Sequence, residues 1–281
     1  MMTLPKPVID PLDTFRTSIS RIDDALFKAR LQAIEQSIVL AAAEFDRAGD
    51  RGQFYSISPQ GTVDGKVTKD EMSSIYKDRF VHKRGPGRSI YEKLINIPKH
   101  RRCPLCAQRT VSTLDHYLPR AFYPALAVVP FNLVACCGDC NKLKLATVPG
   151  KAEEQILHPY YDNIGGETWL ASEVIEDTPA SLEFYIQSPP GGDPVLLRRL
   201  RNHFDLLELG KLYGSHGARL IASIRGYLRN LYRSARMPGI RAHLVEMAES
   251  YAAEHRNSWE TAAYTALAAN DWFCDGGFAL E

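Results

Sequence analysis

Two Cys-x-x-Cys pairs constrain this chain more than any other feature. Cys103-Pro-Leu-Cys106 and Cys137-Gly-Asp-Cys140 stand thirty residues apart. Four thiolates so spaced suit tetrahedral Zn²⁺, in a closed structural site with no position left for substrate. Five of the six cysteines lie within the 38 residues from Cys103 to Cys140, with Cys274 far away. In a reducing compartment such a cluster reads as a metal site rather than as disulfides. Cys136 is a formal alternative to Cys137, but only Cys137 has the two-residue spacing to Cys140. Cys136 and Cys274 are therefore expected to be free core thiols, behaving as small buried hydrophobes.

The remaining 281-residue composition is that of an ordinary folded protein, with 45% hydrophobic and 24% charged residues. That balance excludes a disordered or collagen-like chain. The longest nearly apolar stretch, Ala125 to Cys137, is interrupted by Pro130 and Asn132 and falls short of the roughly 20 residues that cross a bilayer. No membrane span is expected. The first residues show no basic stretch leading into an apolar one, so the expected address is cytoplasmic. Charge is segregated beneath a net value of +1: from Lys77 to Lys144 there are thirteen basic and four acidic residues. A basic middle on a neutral protein points to a polyanionic partner met by one surface, against the blander reading of a solvated charged face.

Apolar positions recurring at helical period predict one long amphipathic helix from about Arg21 to Ala48. Residues 51–65 read as loop. Thr68 with Glu71, and Ser89 with Glu92, are capping-box pairs that predict two further helix starts. Val111 to Leu118 and Leu126 to Cys136 are β-branched, apolar and bounded by prolines, which predicts two short strands. Gly138 to Ala146 predicts a short helix directly after the last cysteine pair. A mixed stretch follows Pro149, then a Pro/Gly-rich break at 188–194, and a mainly helical pattern from about Leu196 to Leu280. The expected fold is α+β and mostly α-helical: an N-terminal helical region (1–98), a central zinc-stabilised core (99–150) and a C-terminal helical region (151–281).

What lies between the cysteine pairs is more specific than the pairs themselves. Asp115-His116 closes the first strand in TLDHYLP, Asn132 sits in FNLV, and Asn141 follows the last cysteine in CNKLK. This order resembles the HNH endonuclease family, in its four-cysteine, zinc-stabilised form, over Cys103 to Lys144. The resemblance implies a ββα-metal core, a β-hairpin followed by a helix around one divalent ion. It implies Asp115 and Asn141 as ligands of catalytic Mg²⁺ or Mn²⁺, and Asn132 as the residue that holds the loop and orients His116. An imidazole takes a proton from water at neutral pH, so His116 is the expected general base. A hard ion wants oxygen donors, which Asp115 and Asn141 supply. Asn141 stands where the family name has histidine, which favours Mg²⁺ or Mn²⁺ over softer ions.

The resemblance further implies DNA as substrate, with little sequence preference, and a setting in restriction or anti-phage defence beside an ATPase partner such as that of Septu-type systems. One core per chain suggests a homodimer for double-strand cutting. Arg120 and Lys144 flank the motif and are candidate phosphate contacts. Arg225, Arg229 and Arg233, spaced by four, share a helix face that suits a phosphate backbone. His158, in HPYYD, is expected to be a packed histidine. Two rival readings stay open: a non-catalytic zinc-ribbon module that binds nucleic acid or protein, and an RNA-directed nuclease.

Overall fold

The computed structural model describes residues 1–280. The chain is α+β and mostly helical, with three small antiparallel strand pairs among the described residues. It divides into two compact units at Asn163–Ile164. The N-terminal helices and the cysteine-bearing segment belong to one unit.

In the first unit, Asp10 caps α1 (Pro11–Ile19) by accepting the Asp13 N–H at 2.8 Å, with Pro11 in the first turn where its missing donor is harmless. The single long helix expected over 21–48 is instead two, α2 (Ala25–Gln32) and α3 (Glu35–Asp50). The chain turns at Ala33-Ile34, which keeps Leu31, Ile34 and Ile38 all buried while Leu26 faces solvent. A short β-hairpin, β1 (Thr62–Val63) with β2 (Val67–Thr68), leads into α4 (Lys69–Ser74). There the Thr68–Glu71 capping box forms as the spacing predicts. A wider, π-type turn, Ile75–Val81, extends α4.

The second expected capping box does not form. α5 (Arg88–Ile95) begins at Gly87 without a side-chain cap, and Glu92 pairs with Arg88 instead. A Cβ on Gly87 would lie 2.8 Å from the Phe80 ring and 3.1 Å from its Cα. Close approach to the wide turn therefore determines this helix start. α5 packs against both strands of the central hairpin.

That hairpin is β3 (Thr113–His116) paired antiparallel with β4 (Leu133–Cys136), in the register Asp115↔Val134 and His116↔Leu133. Both strands are shorter than the predicted segments, because Pro119, Pro124 and Pro130 punctuate the intervening loop and cannot donate to a ladder. All four β4 residues are buried, so the strand shows no apolar alternation. Cys137 follows as N-cap of α6 (Gly138–Lys144). The predicted strand, strand, helix order is thus observed.

In the second unit, β5 (Leu170–Ile175) and β6 (Ser181–Ile186) form a hairpin that the sequence reading left as a mixed stretch. α7 (Pro194–Leu206) follows, then α8 (Leu209–His255), whose path breaks at Arg236 (φ 52°, ψ −163°) just ahead of Pro238. The Tyr227 and His243 rings, centred 4.7 Å apart, show that the two halves fold back on each other, since sixteen residues of straight helix span roughly 24 Å. α9 (Trp259–Ala269), capped by Ser258, packs on α8 and β5, and α10 (Asp271–Cys274) closes the unit. Among the described residues, no helix is long and apolar enough to cross a membrane.

Candidate metal centre and active site

The cysteine pairs meet as their spacing predicts. The sulfurs of Cys103, Cys106, Cys137 and Cys140 lie within 4.8 Å of one another, and all four residues are buried. Backbone N–H groups of Arg109 and Cys140 donate to Cys106 and Cys137 Sγ, each at 3.4 Å, which favours thiolate sulfur. Hydrogen bonds within the cluster, chiefly from Cys103, hold Cys106 and Cys137 below the ordinary thiol range, Cys137 at about 7. Four convergent soft donors fit one zinc ion in a closed tetrahedral site. Cys136 is buried apart from the cluster and its thiol is pushed up by burial. Cys274 is likewise buried, its Sγ donating to the Leu267 carbonyl.

The cluster ties the start of α6 to the segment preceding β3, and a cavity of about 620 Å³ opens beside it. Asp115, His116, Arg120 and Asn141 all line this cavity. His116 Nε2 lies 2.8 Å from the Ala127 carbonyl. A carbonyl only accepts, so Nε2 carries the proton and Nδ1 keeps its lone pair. Burial first, and then the positive charge of Arg120, push His116 down to about 3, so the imidazole is neutral at pH 7. Arg120 donates to Nδ1 at 3.3 Å, while its Nε donates to Ser73 Oγ at 3.0 Å and its guanidinium lies over the Tyr76 ring.

Asn132 is fully buried at the end of the loop and does the work of a clasp. Its Oδ1 accepts the Leu118 N–H at 2.7 Å, and its Nδ2 donates to the Leu118 and Leu126 carbonyls at 2.9 and 3.2 Å. The strand end carrying His116 and the loop carrying its partner Ala127 are thereby held together.

Lys144 departs from its expected place at the surface. It is buried, pairing with Asp115 Oδ2 at 3.0 Å and donating to the His116 carbonyl at 2.7 Å. Lys144 is the last residue of this seven-residue helix and reaches back to β3, so its ammonium neutralises a carboxylate rather than a phosphate. Burial raises Asp115 above the usual carboxylate range, against the opposing pull of Lys144. Asn141 lines the cavity with no hydrogen bond or ion pair committing its side chain elsewhere among the described residues.

Arg225, Arg229 and Arg233 belong to the second unit. Arg225 and Arg229 donate to the carbonyls of Phe278 and Ala279, tying the final turn to α8, and Arg233 is exposed. His158 is wholly buried in an aromatic cluster with Phe45, Phe54, Tyr117 and Tyr161, and its ring accepts the Tyr160 N–H.

The sequence reading missed the opposite wall of the cavity. Lys69, Ser73 and Lys77, spaced by four, line it together with Asp70, Tyr76 and Val81. The spacing is visible in sequence, but a polar face at that period is ordinary for any surface helix. Tyr76 packs edge-on to His116, ring centroids 4.3 Å apart, and donates to the Leu114 carbonyl.

The fold and site together define a metal-binding α+β protein with a tetracysteine-braced hairpin and helix. The chain is similar to Protein ea31 of Escherichia phage lambda, 26% identical over 238 residues that span 79% of each chain. No family model and no solved structure matches.

Proposed function

We propose that this protein is a metal-dependent endonuclease of the HNH type, acting on DNA. The observation that carries the reading is the convergence of His116, Asp115 and Asn141 on one cavity, with His116 presented in a single tautomer. Asp115 and Asn141 are the oxygen donors that would hold Mg²⁺ or Mn²⁺: both line the cavity, and among the described residues no hydrogen bond or ion pair commits the Asn141 side chain elsewhere. An ion bound there supplies Lewis-acid stabilisation of the phosphate and of the leaving 3′ oxygen.

The protein's own residues do the rest. The Ala127 carbonyl fixes the proton on Nε2, so the lone pair is on Nδ1, where it accepts from Arg120 in this structure and would take the proton of an attacking water once Arg120 turns to the substrate phosphate. Asn132 maintains that geometry from behind, and the zinc cluster anchors the first turn of α6, where Asn141 sits beside Cys140. As His116 takes its proton, the water's oxygen lone pair attacks phosphorus and the bond to the 3′ oxygen breaks; the departing 3′ oxygen takes a proton from solvent, giving a 5′-phosphate and a 3′-hydroxyl.

The test is incubation of the zinc-loaded protein with supercoiled plasmid in Mg²⁺ or Mn²⁺, alongside single-stranded DNA and RNA. Nicked and linear plasmid are expected. Cleavage of RNA alone would overturn the DNA assignment, and cleavage of nothing would favour a binding module.

A further inference from the structure

The end of α6 carries an unexplained expense. Leu145 adopts φ 54°, ψ −154°, a region that is essentially reserved for glycine because a side chain there crowds its own backbone. The left-handed residue that ordinarily terminates a helix has ψ near +47°, so a routine helix stop does not account for it. Nor does burial, since Leu145 is 71% exposed. A branched apolar side chain in strained backbone and in water is unfavourable twice over.

The neighbours pin it there. Lys144 is held by Asp115 and the His116 carbonyl. Thr147 Oγ1 donates back to the Lys144 carbonyl at 2.8 Å, closing the turn around Leu145. The side chain so presented lines the mouth of the cavity that holds Asp115, His116 and Asn141. The lining also carries Lys69, Ser73 and Lys77 on the facing wall and Arg120 beside His116, basic and polar groups that suit a phosphate backbone, together with the smaller apolar groups Val81, Ala121 and Ala146. Leu145 is the large apolar group displayed there.

We propose that Leu145 is a wedge for the DNA duplex, placing its side chain against the sugar and base edge beside the scissile phosphate. The proposal rests on the nuclease reading for its substrate. Apolar side chains inserted at base steps partly unstack and bend DNA, which widens access to the backbone. A strand bent over Leu145 is directed toward His116 and Asn141, one helical turn away. The contact recognises local deformability rather than base identity, so flexible pyrimidine–purine steps are the favoured sites.

The experiment measures binding of a fluorescein-labelled 20-base-pair duplex by anisotropy, without added Mg²⁺ or Mn²⁺, for the zinc-loaded wild type, Leu145→Gly and Leu145→Met. Glycine relieves the strain and removes the wedge, whereas methionine keeps both. Leu145→Gly is expected to unfold thermally at or above the wild-type midpoint yet to bind the duplex about tenfold more weakly, and Leu145→Met to bind within about twofold of wild type. Equal duplex affinity for Leu145→Gly would overturn the proposal, as would a lowered midpoint for that variant or a wild type that binds no duplex. The nuclease reading fails separately, if the wild type binds in a Leu145-dependent manner but cleaves no plasmid.

Discussion

Replacing Asn132 with alanine removes a side chain that touches no solvent and satisfies three backbone groups: the Leu118 N–H and the carbonyls of Leu118 and Leu126. Each buried backbone group left unpaired costs about 1–3 kcal/mol. Partial relaxation of the loop places the total on the order of 3–6 kcal/mol, a large share of the roughly 5–15 kcal/mol that holds a typical domain together. Asn132→Asp retains the bond from the Leu118 N–H but sets a carboxylate against two carbonyl oxygens, so it is expected to destabilise at least as much. Urea unfolding followed by far-ultraviolet circular dichroism, comparing both variants with wild type, reads the effect directly. An Asn132→Ala variant within 1 kcal/mol of wild type would refute the clasp, and with it the argument that Asn132 orients His116 by holding the Leu118–Ala127 loop.

Other perturbations test separate links. Lys144→Met leaves Asp115 buried without its partner and is expected to destabilise by about 3–5 kcal/mol, with most of that recovered in the Lys144→Met, Asp115→Leu double variant, as urea unfolding will show. Cobalt(II) in place of zinc is expected to give the intense visible absorption of a tetrahedral tetrathiolate; Cys136→Ala should leave that spectrum unchanged and Cys137→Ala should abolish it. Stripping zinc with a strong chelator is expected to lower the thermal midpoint and to eliminate plasmid cleavage together, because the cluster anchors α6; retained cleavage by demonstrably zinc-free protein would break that coupling. Thr68→Ala removes half of the α4 capping box and should cost about 1 kcal/mol in the same unfolding assay.

The parts legible in the sequence are those set by local chemistry. Cys-x-x-Cys spacing brings two sulfurs together whatever surrounds them, so the cluster, and the choice of Cys137 over Cys136, could be read directly. Prolines bounding β-branched segments marked β3 and β4, and Thr68–Glu71 marked the start of α4. What tertiary contact decides was not legible. Ser89–Glu92 has the capping pattern, yet α5 starts where Gly87 lets the chain approach Phe80. Lys144 looks like a surface charge until the hairpin places Asp115 within reach of its ammonium. The α4 wall is far from His116 along the chain, and only folding makes it one side of the cavity. Two misses did carry signals. Ser181 to Ile186 alternates buried Leu182, Phe184 and Ile186 with exposed Glu183 and Tyr185, the period-two pattern of a strand. Pro238-Gly239 marks the reversal within α8.

In the proposed mechanism His116 Nδ1 removes a proton from the attacking water. Single-turnover cleavage of a labelled duplex, in saturating Mn²⁺ with zinc-loaded protein, compares wild type with His116→Ala after circular dichroism has shown both to be folded. Loss of a positioned general base is expected to slow cleavage by roughly 10²–10⁴-fold, and a folded His116→Ala variant that cuts at the wild-type rate would contradict the account.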